Sequence, residues 1–111
     1  MMQHIVMRAY IATDGQSGVG ADWIRRKLMA ATCEVFGGCT IYDTFGGWHD
    51  ADKVLVVEPA LVVEVIVFAE HVHVPDRQLW YNAMNGIAAE LNQREVLFTT
   101  SAVQATSWEV E

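Results

Sequence analysis

The segment Val54 to Ala69, VLVVEPALVVEVIVFA, constrains this chain more than any other stretch. Its β-branched content reads as a strand running from Lys53 to Glu70. Side chains alternate across a strand. Leu61, Val63, Val65 and Val67 therefore point one way, and Val62, Ile66 and Phe68 point the other. Both faces are apolar, so each must be covered by something. Glu58, Pro59 and Glu64 interrupt the run. It falls short of the ~18 uninterrupted apolar residues that a membrane span needs. Pro59 cannot donate a ladder hydrogen bond and marks a bend or bulge.

The rest of the chain supplies a cover for one face. His4 to Thr13 reads as a first strand and runs into a polar, glycine-rich loop from Asp14 to Gly20. Asp22 can cap a helix reaching about Val35, with Ile24, Leu28, Ala31 and Val35 at helical spacing. Gly37-Gly38 stops it. Cys39 to Trp48 is a second strand, and the turn to the third is made by Gly46-Gly47 and His49 to Asp52. Val74-Pro75-Asp76 opens a second helix, capped by Asp76, with Trp80, Met84, Ile87 and Leu91 as its buried stripe. Arg94 to Ser101 is a fourth strand, and Ala102 to Val110 continues it or adds a short fifth. Trp108 and the acidic Glu109 and Glu111 suggest that this end docks at a subunit edge.

The order is βαββαβ. It predicts an α+β, ferredoxin-like fold: one antiparallel sheet with both helices on one face. No linker or repeat divides the 111 residues, which read as one domain, 1–111. Hydrophobic residues make up 52% of the chain, a high share for its size, and this excess lies on a sheet face the helices cannot reach. A second copy of the chain is the expected cover. The expectation is a homo-oligomer, a face-to-face dimer or a trimer.

Charge narrows the partners. The formal net charge is −7, with Lys+Arg 7 against Asp+Glu 14. Phosphate-backbone binding runs on clustered Lys and Arg, and the cluster Arg25-Arg26-Lys27 is too short to make a groove. No nucleic-acid or membrane partner is expected. The start, Met1-Met2-Gln3-His4, has neither a charged n-region nor an A-x-A site, so a cytoplasmic protein is expected. Cys33 and Cys39 match neither CxxC nor a zinc knuckle and read as reduced thiols. No cofactor motif is present: the Asp14–Gly20 loop fits neither GxGxxG nor GxxxxGK[ST]. It reads as a flexible loop or as an anion cradle at a helix N-terminus. No GxSxG elbow supports hydrolase chemistry.

Several residues ask for a reason. A carboxylate in an apolar strand costs several kcal/mol unless it is paired or solvated, which singles out Glu58 and Glu64. Each is either a salt-bridge partner at an interface or a contact for a ribose hydroxyl, an amino group or a sulfonium. Glu58 is the better ligand candidate, because Pro59 opens space beside it. Trp48, flanked by Gly46-Gly47, can stack on a nucleobase or pack against a neighbouring subunit. Tyr42 and Asp43 are hydrogen-bonding candidates on the same strand. His71 and His73 form an HxH pair, but a third ligand at proper spacing is missing, so no metal is expected.

Taken together, Phe36-Gly37-Gly38-Cys39-Thr40, Gly46-Gly47-Trp48, Glu58, Val63 to Val67 and Asn92-Gln93-Arg94-Glu95-Val96-Leu97 resemble the small PII-like proteins of phages and bacteria. The similarity spans about residues 36–97 in short pieces. It implies a trimer, favoured over a dimer, that binds adenine-containing small molecules in clefts between subunits. One branch comprises phage S-adenosylmethionine lyases, which form methylthioadenosine and homoserine lactone and so blunt host methylation-dependent defences. On this resemblance Glu58 matches the third-strand glutamate and Glu95 the one opening the last strand. Gly47 stands where a lyase would carry a tyrosine, and Tyr42 is the candidate substitute. Lyase chemistry needs no protein nucleophile: the substrate's own carboxylate attacks, and the protein holds a near-attack geometry and stabilises charge. The ligand-binding set is then Glu58, Glu95, Trp48, Gly47 and Glu64, with Glu58 and Tyr42 as catalytic candidates.

Three other readings stand beside it. The same scaffold can serve as a non-enzymatic nucleotide sponge or sensor. A dimeric ferredoxin-like barrel would use His71, His73 or Trp80 in a pocket within each subunit. A purely structural subunit would use only its apolar sheet face.

Overall fold

The computed structural model describes residues 3–106, so Trp108, Glu109 and Glu111 lie outside the described residues. The elements are β1 (His4–Ala12), α1 (Asp22–Phe36), β2 (Thr40–His49), β3 (Leu55–Phe68), α2 (Val74–Glu90) and β4 (Leu97–Val103). Short 3-10 turns at Gly18–Ala21 and Ala69–His71 lead into the helices. The strands form a 4-stranded sheet in the order β2-β3-β1-β4, and every pairing is antiparallel. This is the ferredoxin-like arrangement.

The core lies between the sheet and the helices. Met7, Ala9 and Ile11 of β1 and Leu61, Val63 and Val65 of β3 meet Ile24 and Leu28 of α1 and Trp80, Met84 and Ile87 of α2. Burying each large side chain contributes about 1.5–3 kcal/mol. Trp80 is fully buried, with Phe36 and Phe98 meeting its ring edge-on at centroid distances of 5.8 and 5.5 Å. It is a core residue rather than the wall of a pocket. Its indole N–H donates to the Thr32 hydroxyl at 3.0 Å. The buried stripe of α1 accordingly runs Ile24, Leu28, Thr32. Ala31 and Val35, expected in that stripe, sit at its half-buried border. The Thr32 hydroxyl in turn donates to the Met84 sulfur at 4.0 Å. Periodicity alone passed over Thr32 because its value to the core is hydrogen bonding.

Other local expectations shift for identifiable reasons. Asp22 does not cap α1; it lies in the first turn and pairs with Arg25 at 2.8 Å. Asp76 does not cap α2 either, since Pro75 already occupies the first turn and His73 is the cap residue. Proline's fixed φ suits that position, so the helix starts earlier than expected. Pro59 introduces no bulge. The β2–β3 register runs unbroken from Thr40↔Glu64 to His49↔Leu55. In an antiparallel strand the N–H and C=O of one residue face the same neighbour. The Pro59 carbonyl accepts from the Thr13 backbone N–H at 3.2 Å, so its missing donor falls where β1 has ended. The fourth strand begins at Leu97 rather than Arg94 and ends at Val103.

The second sheet face has no covering element among the described residues. Val6 and Val62 are shielded there by their neighbours, whereas Ile66 is 52% exposed. Beyond the Ala12↔Ala60 pair β1 stops, and β2 and β3 continue alone as a two-stranded arm. Phe45 (74%), Leu55 (63%), Val57 (58%) and Trp48 (47%) are exposed along it. An isolated two-stranded ribbon is marginal in water, and one this apolar more so.

Candidate functional site

The root of the arm forms a hollow on the open face. Glu58 faces Gly46 across the β2–β3 ladder, and Ala60 faces Ala12 across β1–β3. Small residues at these cross-strand positions leave the floor low. Tyr10 and Trp48, on the same face, stand as walls. The resulting cavity has a volume of about 340 Å³ and is lined by Tyr10, Ala12, Thr44, Phe45, Gly46, Gly47, Trp48, Glu58 and Ala60. That volume falls in the range of small-molecule pockets, which run from about 300 Å³ upward. On the other side of the strand root lies a smaller hollow of about 190 Å³, lined in part by Thr13, Gln16, Ser17, Gly18 and Asp43.

Glu58 is half-buried in the larger cavity and takes part in none of the ion pairs among the described residues. A carboxylate in an aromatic and aliphatic hollow is stabilised by a cation or a hydrogen-bond donor brought to it. Trp48 and Tyr10 offer aromatic surface next to that charge. The chemistry on offer is therefore recognition of a flat or cationic small molecule. A Cβ on Gly47 would meet only ordinary contacts, the nearest being the Val56 carbonyl oxygen at 3.6 Å. That Cβ would point with the Leu55 and Val57 side chains, to the face opposite Glu58 and Trp48.

Glu64 is placed differently. Arg8 Nε donates to Glu64 Oε2 at 2.7 Å, and Tyr42 Oη donates to the same oxygen at 3.4 Å. The hydrogen bond to Glu64 raises the Arg8 guanidinium above its ordinary pKa, against a smaller opposing effect of desolvation. Glu58 and Glu64 point to the same face but lie roughly 20 Å apart along β3, at ~3.3 Å per residue. Tyr42 thus joins Glu64 rather than Glu58. Glu95 is exposed in the segment just before β4 and lines neither hollow. Sequence reasoning grouped these residues without separating them and missed Arg8, Tyr10, Ala12 and Ala60. Arg8 had a readable signal, since it is a charge inside an apolar strand just as Glu64 is. Only the antiparallel register pairs the two.

The remaining candidates are dispersed. His71 and His73 are exposed, and His71 lies 3.8 Å from Glu70. No group of three or more potential metal-ligating side chains forms among the described residues. The Asp14–Gly20 loop is tied down: the Thr13 hydroxyl reaches the Pro59 carbonyl at 3.1 Å, Trp23 Nε1 donates to Gln16 at 2.8 Å, and Arg25 donates to the Gly18 carbonyl at 2.8 Å. Cys33 and Cys39 are free thiols. Burial, with Cys33 beside it, pushes the Cys39 thiol up to about 11. No helix among the described residues is long and apolar enough to cross a membrane.

No family model matches the chain, and no curated protein matches it by sequence. Solved structures do match in shape. A phage SAM lyase in complex with S-methyl-5′-thioadenosine superposes with a TM-score of 0.59, covering 96% of this chain and 93% of that one at 14% identity. A phage SAM lyase in the apo state gives a TM-score of 0.58 at 14% identity, covering 95% of this chain and 92% of that one. The chain shares the fold of these proteins over nearly its whole length.

Proposed function

We propose that the protein binds S-adenosylmethionine or an adenine nucleotide in the Glu58–Trp48 hollow, in a PII-like homo-oligomer whose neighbouring copy closes the hollow into a cleft. The observation that carries this reading is Glu58: a half-buried carboxylate beside Trp48, without an ion-pair partner among the described residues. A sulfonium or an amino group answers that charge, and Trp48 stacks on the adenine. The likeness in fold to a lyase solved with methylthioadenosine supports the ligand class. Gly47 belongs to the cavity wall. Glu95, outside this copy's hollow, would reach a cleft from an adjacent copy. The Arg8–Glu64–Tyr42 group occupies the middle of the open face and contacts the ligand only if it extends that far.

In the lyase form of this reading, a substrate carboxylate oxygen attacks the carbon bonded to sulfur. That C–S bond breaks, and its electron pair neutralises the sulfonium. The products are methylthioadenosine and homoserine lactone, with no proton transfer required. The protein's task is to fold the substrate into a near-attack geometry and hold its ammonium or sulfonium near Glu58. Incubation with S-adenosylmethionine followed by mass spectrometry tests this directly. Methylthioadenosine should accumulate, and Glu58→Gln should slow its formation at least about tenfold, as loss of a charge contact worth 1.4 kcal/mol or more does. No turnover by the native protein removes the lyase form.

One observation favours a second form. Gly47 leaves open the position where the lyase resemblance places a tyrosine. In a sponge or sensor the ligand is bound and returned intact. Calorimetry with S-adenosylmethionine and ATP separates the two, since binding without products identifies the non-enzymatic form. Absence of binding to either removes both.

A further inference from the structure

We propose that the furrow between α1 and α2, on the face of the molecule opposite the Glu58 hollow, docks a cationic amphipathic helix of another protein. The furrow encloses about 380 Å³ and is lined by Ala31, Glu34, Val35, Asp76, Leu79 and Ala83. Its floor is aliphatic, and two of its side chains are alanines, which let a third helix approach closely. Leu79 is 59% exposed, a large apolar side chain on the solvent side of a helix whose opposite side already fills the core with Trp80, Met84 and Ile87. The helix is thus apolar on two sides, and only one is occupied.

The charges fix the character of the occupant. Glu34 on α1 and Asp76 on α2 flank the floor, and neither enters an ion pair among the described residues. Of the helix cations, Arg25 pairs with Asp22 and Asp43 and Lys27 with Glu90, whereas Arg26 and Arg77 enter no ion pair among the described residues and do not neutralise Glu34 or Asp76 by a salt bridge. Glu34 lies close to the C-terminal end of α1, whose last turn contains no basic residue. That is the negative end of the helix dipole, where an acidic side chain is destabilising until a cation is brought to it. Asp76, in the first turn of α2, is favoured by that helix's dipole, so Glu34 is the carboxylate that most needs a cation. An apolar floor flanked by two carboxylates outside any ion pair among the described residues matches a helix with leucines on one side and lysine or arginine at the flanks.

The test uses the full chain and a fluorescein-labelled amphipathic helix of leucine and lysine, read by fluorescence anisotropy. A peptide of equal charge with serine replacing leucine reports charge attraction alone. The leucine peptide should bind more tightly than the serine peptide. Glu34→Lys with Asp76→Lys should weaken its binding at least about tenfold. The matched pair Asp50→Lys and Asp52→Lys, in the β2–β3 turn, should change it far less. Leu79→Ser should weaken the leucine peptide and leave the serine peptide unaffected. Equal loss in the two charge-reversed pairs, or equal binding of the two peptides, would overturn the proposal. Circular dichroism checks each variant's fold, and Leu79→Ser decides the matter should the furrow pair fail to fold.

Discussion

Thr32 sits in the middle of α1, and its hydroxyl accepts the Trp80 indole N–H at 3.0 Å inside the core. Replacing it with valine keeps the volume and removes the acceptor. A buried N–H left unpaired costs about 1–3 kcal/mol. Thr32→Val should therefore lower stability by that amount in urea titrations, while Thr32→Ser should lose less. A Thr32→Val protein as stable as the native one would show that the hydroxyl does not matter. Gly47 presents the opposite situation, with room and no side chain. Gly47→Ala should leave the melting temperature near its original value, since its methyl group points away from Glu58 and meets only ordinary contacts. A large fall in melting temperature would show the site to be closed to a side chain. Cys39 adds a pH dependence. Its thiol is raised from 9.0 to about 11 by burial, with Cys33 adding to the shift. The folded chain holds this proton more tightly than the unfolded one, so the contribution is complete below about pH 9 and is lost as pH rises through about 11. At about pH 8, alkylation of Cys39 should be slower in the folded protein than in urea. Equal rates would contradict the shift.

At the scale of elements, the two helix ends show what a sequence displays openly. Gly37, at φ +84°, terminates α1 with its N–H on the Cys33 carbonyl at 2.8 Å. Asn92, at φ +60°, ends α2: its N–H reaches Ala89 O at 3.1 Å, and the Gln93 N–H reaches Ala88 O at 3.0 Å. This pair of bonds is a Schellman cap, which needs a residue that tolerates the left-handed region. Asn92→Gly should keep or raise stability, and Asn92→Val should cost about 1–2 kcal/mol. Equal melting temperatures for the two would rule out the cap as the reason for Asn92. Part of the Asn92–Leu97 resemblance thus reflects capping geometry. Strands and helix stripes were legible because their periods are local: Trp80, Met84, Ile87 and Leu91 fall as their spacing demands. Caps were less legible at Asp22 and Asp76, where a neighbouring turn or proline shifted the helix start. The site was legible only in outline. Glu58, Gly47 and Trp48 lie on the β2–β3 hairpin and stand out by residue type, whereas Tyr10 and Ala12 enter the cavity through β1, by a register no local pattern displays. The same register joins Arg8 to Glu64.

For the whole molecule, the open sheet face and the protruding arm have the same consequence. Ile66 lies near the C-terminal end of β3, beside Val6 on the uncovered face, and Leu55 lies near the tip of the arm, both more than half exposed. Exposed apolar surface of this extent is destabilising in water unless another surface covers it. A second copy is the cover the sequence led us to expect, and under the proposed function the location of Glu58 at the root of the arm would tie the ligand site to that contact. Ile66→Arg removes no core contact of the protomer, because the helix-facing residues Leu61, Val63 and Val65 are untouched. It places a charge where a neighbouring copy would pack, and a desolvated unpaired charge costs several kcal/mol. Analytical ultracentrifugation should show the native chain sedimenting above its monomer mass and Ile66→Arg sedimenting as a monomer with an unchanged circular dichroism spectrum. Ligand affinity should fall with the assembly even though the substitution is several residues from Glu58. A native chain that stays monomeric at every concentration would remove the intersubunit cleft. Full affinity in a monomeric Ile66→Arg variant would place the whole site within one copy.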